Sequence, residues 1–209
     1  MIRSTGLLLL VCAALPAAEL VVRDLRLGIG TRPIAFDYAY TGVLTSSDGS
    51  DGFEAALGLE GGGRWSFARP GDALGLVVGA DLALDAWSYG GAEGLATTWL
   101  RLSAGPGYAL NDRLTLTAEL GLQYGLSALA LPATDSAPDF AATGTAMGYD
   151  LRVGGNWLAT RRFGLGLFAG WLIASHDLSG DADLTIEQSG WFAGLEAVWR
   201  FTDAPPRLE

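Results

Sequence analysis

At 209 residues the chain suits one domain with a sizeable buried layer and would be cramped as two. Half of it is hydrophobic, all 13 basic residues are Arg, 30 residues are Gly and the net charge is −10. The Lys-rich exterior of a water-soluble fold is therefore missing, and so are the clustered cations that phosphate binding needs, which excludes a nucleic-acid partner.

Met1 to Ala18 has the parts of a secretory signal: Arg3 as the charged start, an apolar run from Gly6 to Leu15, and Pro16-Ala17-Ala18 before a cut near Ala18. A buried N-terminal helix is the alternative, but the segment is short and lacks a polar face. The single cysteine, Cys12, lies inside it, so the exported chain is expected to have no disulfide and no thiol ligand. Leu9-Leu10-Val11-Cys12 faintly resembles a lipoprotein box, with Val11 where a small residue belongs. Beyond this segment no apolar run approaches the roughly 18 residues of a membrane helix.

The rest of the chain alternates with period two between turn signals, which is strand patterning. A first strand is expected between Val21 and Tyr40, where Leu25, Leu27 and Ile29 give way to Ile34, Phe36, Tyr38 and Tyr40. The apolar parity switches near Pro33, and a bulge at Thr31-Arg32-Pro33 would restore it within one long strand; the other reading splits the segment in two.

Seven more segments follow. Leu57, Leu59, Trp65 and Phe67 oppose Glu60 and Arg64; Leu74 to Leu84 opposes Gly79, Asp81 and Asp85; Leu100 and Leu102 oppose Arg101; Leu116 to Tyr124 opposes Glu119 and Gln123. Tyr149, Leu151, Val153 and Trp157 then oppose Asp150, Arg152 and Asn156; Phe163 to Ile173 opposes a row of Gly; Trp191 to Phe201 opposes Glu196 and Arg200. Connections alternate in length, long at 41–52, 87–96, 127–144 and 175–189 and short at 68–73, 111–113 and 159–162. Eight strands with short turns at one end and long loops at the other fit a transmembrane antiparallel up-and-down β-barrel, with both termini at the short-turn, periplasmic end.

A soluble lipocalin-type barrel also alternates, but its polar face would be rich in Lys, Glu and Gln, whereas here that face is mostly Gly, Ala, Ser and Thr. Strands of about 9 to 11 residues match a tilted membrane crossing. The aromatics sort into two belts: Tyr38, Tyr40, Phe53, Tyr124, Tyr149, Trp171 and Trp191 toward the long loops, and Trp65, Phe67, Tyr108, Trp157, Phe163, Trp199 and Phe201 toward the short turns.

Over residues 21 to 201 this pattern resembles the small outer-membrane barrels grouped around the OmpA transmembrane domain, OmpX and OmpW. The alternating last strand, Trp191 to Phe201, is similar to the aromatic-ended segment that the barrel-assembly machinery recognises in such proteins, although Thr202 to Glu209 follow it here. The resemblance implies a porin-like or OmpA-like place in the cell envelope, in the outer membrane of a Gram-negative-type bacterium, with membrane lipid and the assembly machinery as partners. The expected organisation is a signal peptide over 1–18, a barrel over 19–201 and a short tail over 202–209.

Inside such a barrel the parity places Glu60, Arg64, Asp81, Asp85, Arg101, Glu119, Asp150, Arg152, Glu196 and Arg200. An eight-stranded barrel leaves just enough room for side chains, so these mixed charges are expected to pair and plug the lumen. The functional alternative is a narrow channel for ions or small apolar solutes, with the same residues as its lining.

No catalytic set, cofactor or metal site is expected. The single His176 falls in the last long loop, beside Ser175 and Asp177, and neighbours on an extended chain point to opposite sides. The His-x-Ser pattern of lipid A deacylase barrels is absent. Asp181, Asp183 and Glu187 could hold a hard cation but match no calcium-loop spacing, and Gly61-Gly62-Gly63 precedes no helix that would make it a phosphate cradle. Acidic residues in the long loops (Asp48, Asp51, Glu93, Asp135, Asp139) read as solvated charge, and an external partner is not specified by any motif.

Overall fold

A computed structural model describes residues 19–41, 46–69, 72–88, 94–131, 140–180 and 182–201. The segment over 1–18 read as a signal peptide, with Cys12, the tail over 202–209, and Glu93, Asp135, Asp139 and Asp181 lie outside the described residues.

Ten strands form one antiparallel sheet: β1 (Glu19–Thr31), β2 (Ala35–Thr41), β3 (Ser46–Gly52), β4 (Ala55–Ala68), β5 (Leu74–Ser88), β6 (Gly94–Ala109), β7 (Leu114–Leu131), β8 (Phe140–Leu158), β9 (Phe163–Gly180) and β10 (Asp183–Arg200). Pairing runs from β1 to β4 and then through each successive strand to β10, which closes the ring by pairing back to β1. Within the ring of β1 and β4 to β10 closure pairs every strand on both sides, the requirement for strands that cross hydrocarbon, while β3 pairs with β2 alone.

The first ribbon settles the choice left open near Pro33. It breaks into β1 and β2, yet both run along the same neighbour, β1 on Gly194–Arg200 of β10 and β2 on Asp183–Gln188. The break at 32–34 does not restore the outward parity. Ala35, Asp37 and Ala39 face out, while Phe36, half-buried, packs ring to ring on Phe53 at 4.5 Å. Phe53 itself is buried. Phe53 and Phe36 therefore fill the barrel mouth instead of facing lipid, and Tyr40 turns the same way, toward Phe140 at 6.4 Å.

The long connections are also shorter than the alternation suggested. β3 occupies most of 41–52 and pairs with β2 along its whole length; β9 and β10 remain paired up to Ser179 and Asp183. β8, with 19 residues, spans about 60 Å at about 3.3 Å per residue, well beyond what crosses a bilayer. The ladders thus continue past the membrane at the end opposite the short turns, here termed the far end.

Outside, apolar side chains form an unbroken band: Leu27, Leu82, Leu120, Leu167 and Trp191 are each more than half exposed. Such a surface is tolerated only against lipid or a partner. Tyr124, Tyr149, Trp171 and Trp191 mark one rim of the band, and Trp65, Tyr108, Trp157, Phe163, Trp199 and Phe201 the other, where amphipathic rings meet the membrane interface.

The lumen as candidate functional site

Because successive side chains on a strand point to opposite faces, an apolar outward row commits the alternate row to the interior. All ten charged residues selected by that parity are buried there: Glu60, Arg64, Asp81, Asp85, Arg101, Glu119, Asp150, Arg152, Glu196 and Arg200. Asp24, Arg26 and Arg32 join them, so six guanidiniums face seven carboxylates.

Arg101 is the hub. It forks onto Asp150 with two bonds of 2.9 and 2.7 Å and reaches Asp81 at 3.2 Å. Asp81 also accepts from Arg64 at 2.5 Å, and Arg64 pairs with Glu119 at 3.0 Å. Ser103 and Gln123 add donors to Glu119 Oε2 and Asp150 Oδ2, the oxygens that Arg64 and Arg101 also hold, at 2.7 and 2.8 Å. Arg152 joins Glu60 to Glu196 at 2.5 and 2.6 Å and lies over the Phe168 ring at 3.7 Å. Arg26 reaches Glu196 at 3.1 Å, and the Asn156 amide, turned so that its nitrogen donates, bridges Glu196 Oε1 and Arg26 Nη2 at 2.7 and 3.0 Å. Two pairs stand at the margins: Arg32 with Asp85 at 2.8 Å, and a bidentate Arg200 with Asp24 at 2.9 and 3.1 Å.

Bidentate, multiply bonded pairs are the form in which charges survive away from water. Glycine makes the room: a Cβ at Gly121 would overlap the Asp150 carboxylate, and one at Gly166 the side chains of Asn156 and Glu196. Toward the short turns the network ends in a polar vestibule of about 50 Å³ among Asp24, Ser66, Asp72, Asn111 and Arg200.

Toward the far end the interior changes character. Above the ionic girdle lie Trp99, Phe168, Leu172 and Phe192, and above these a plug of Phe53, Trp87, Leu95, Leu129, Leu178 and Ile186. His176 is held between these two apolar groups. It does not lie in a loop; it projects inward from β9 and is fully buried. Gln188 Oε1 stands 3.1 Å from Nε2, which assigns the ring proton there and leaves Nδ1 to accept from the Ser127 hydroxyl at 2.9 Å, with Thr97 at 3.4 Å. Trp87 and Trp99 set their rings edge-on to the imidazole at 5.7 and 5.5 Å.

Parity on β1 already held the signal for Asp24 and Arg26, since both alternate with Leu25 and Leu27. Arg32 was masked by its place in the strand break. The surroundings of His176 had no local signal, because Thr97, Ser127 and Gln188 come from three other strands. Asp183 and Glu187 sit on the outward face of β10, and among the described residues no three metal-ligating side chains converge.

A closed antiparallel ring with a lipid-type exterior and a charge-paired interior defines the class of fold: a small transmembrane antiparallel β-barrel. No protein-family model matches the sequence, and no curated protein matches it either. Solved structures do. The outer membrane protein OprG from Pseudomonas aeruginosa superposes with a TM-score of 0.51 at 8% identity, over 88% of this chain and 98% of that one. Ail, the attachment invasion locus protein of Yersinia pestis, gives 0.43 at 13% identity over 88% and 100%, and neisserial surface protein A gives 0.43 at 13% over 84% and 95%. These likenesses are of fold alone.

Proposed function

We propose that this protein is an exported, non-enzymatic barrel of the outer membrane with a structural or surface-interaction role, its lumen sealed against solute flow. The observation that carries this reading is the double closure of the interior, an ion-pair girdle in which Arg64 and Arg152 bind carboxylates across the lumen and Arg101 ties Asp81 to Asp150, and an apolar plug above it. A conducting lining would leave charged groups free to exchange water and ions; here they are spent on one another. The short-turn end faces the periplasm and the far end, with its extended ladders, faces outward, as in other bacterial barrels. Ordered strands projecting beyond the bilayer offer the surface on which an external partner would act.

Reconstitution into planar bilayers tests this. The expected record is flat, and it is expected to stay flat with Arg101→Ala or Glu119→Ala, because the apolar plug is a second closure that neither substitution touches. Reproducible conductance steps from the unaltered protein, shifted by those substitutions, would establish the channel reading instead.

A further inference from the structure

The far-end plug has an unusual centre. Apolar cores exclude titratable groups unless these are paired, yet His176 sits between Trp87 and Trp99, with Leu95, Leu129 and Leu178 in the cluster around it. Its hydrogen bonds suit the neutral ring, with Nε2–H donating to Gln188 and Nδ1 accepting from a hydroxyl.

Among the described residues no carboxylate faces the ring from any strand packed on it. β5 presents Trp87, and its next inward charge, Asp85, is bound to Arg32. β6 presents Thr97 and Trp99, and its next inward charge, Arg101, is bound to Asp150. β7 presents Ser127, and β8 presents the buried Ala146, with Asp150 two inward positions further along. β10 presents Gln188 and Ile186. Asp177 and Glu187, the adjacent charges on β9 and β10, face outward, and Asp177 takes a bond from Thr185 at 3.2 Å. Among the described residues an imidazolium here would have only hydroxyls, one amide and two indole rings, a weaker compensation than a carboxylate.

We propose that His176 is the catch of the outer plug, and that protonating its imidazole unseats Trp87 and Trp99 and opens the outer third of the lumen to water while the ionic girdle beneath stays shut. The closed state binds fewer protons at His176 than an open, hydrated one. Falling pH therefore favours opening, and rising pH favours closure. The barrel would then present an acid-dependent pocket at its outer face, lined by aromatic side chains, without becoming a pore. This goes beyond the sealed-barrel reading, because the girdle and the plug are separate closures.

The test uses the two buried tryptophans. Replacing Trp65, Trp157, Trp171, Trp191 and Trp199 by Phe leaves Trp87 and Trp99 as reporters, and acrylamide quenching of the reconstituted barrel is followed from about pH 7.5 to about pH 4, either side of the ordinary histidine range. The quenching constant is expected to rise several-fold on acidification and to stay flat in the same background with His176→Gln, which keeps a donor and an acceptor but cannot be protonated. A flat response with His176 present overturns the proposal, as does an equal rise with His176→Gln. If the five-fold Trp variant does not fold, hydrogen exchange over residues 172–190 in the otherwise unaltered barrel, compared at each pH with the single His176→Gln variant, gives the same reading: an acid-specific excess only with His176 supports the catch, and identical exchange overturns it. Conductance at neutral pH needs both closures open and would overturn the sealed-lumen reading and the catch together, whereas a flat record with no acid-specific change at His176 would overturn the catch alone.

Discussion

The membrane-level part of the barrel and its far-end extension are built from the same strands with opposite polarity. Along β9, Leu165, Leu167, Trp171 and Ile173 face out and Gly164, Gly166 and Gly170 face in; further on, Ser175, Asp177 and Ser179 face out and Leu178 faces in beside His176. β10 inverts likewise, with Asp183, Thr185 and Glu187 outside and Leu184 and Ile186 inside, before Trp191, Leu195 and Trp199 take over the outer row. The pleat is unbroken, so the surrounding solvent has changed and the geometry has not. Where lipid surrounds the wall, apolar groups go out and charges must pair inside; where water surrounds it, the interior becomes an ordinary hydrophobic core. The inversion beside Trp171 and Trp191, whose rings meet edge to face at 5.3 Å, marks the outer boundary of the hydrocarbon.

Three substitutions would break or sharpen this contrast, each read by reversible urea unfolding in lipid bilayers. The largest effect is expected inside the membrane-level lumen: Arg101→Ala strands Asp150 without its bidentate partner and takes from Asp81 the second of its two guanidiniums, and should cost about 3–5 kcal/mol. Next is the lipid face, where Leu120→Arg, midway along an outward row and 59% exposed, should cost about 2–4 kcal/mol if hydrocarbon covers it. A negligible cost would mean that water reaches this row. Least affected should be Glu187→Gln on the far-end outer face, where solvent already screens the charge; no resolvable change in unfolding midpoint is expected. A loss comparable with that of Leu120→Arg would place Glu187 in a buried interaction and move the boundary outward.

The same inversion explains where the sequence was readable and where it misled. Between the two belts, outward Leu and inward charges alternate cleanly, and the parity alone picked out Glu60, Arg64, Arg101 and Glu119 as inward-facing. Past the outer belt the apolar row changes sides, which in a linear reading looks like the end of a strand. Residues 175–189 therefore read as a loop, and Phe36, Tyr40 and Phe53 read as lipid-facing.

By itself the amino-acid order determined the class of fold, because period-two alternation over long segments, Gly on one row and Leu on the other, fits a closed barrel in lipid and little else. It also determined which charges share the interior, since a pleated strand leaves each side chain only two directions. Tertiary structure alone decided the partners. Which Arg meets which carboxylate, and that His176 should rest on Ser127, Thr97 and Gln188, depends on the stagger between strands that lie far apart in the chain, and that stagger is set by ring closure rather than by any local pattern.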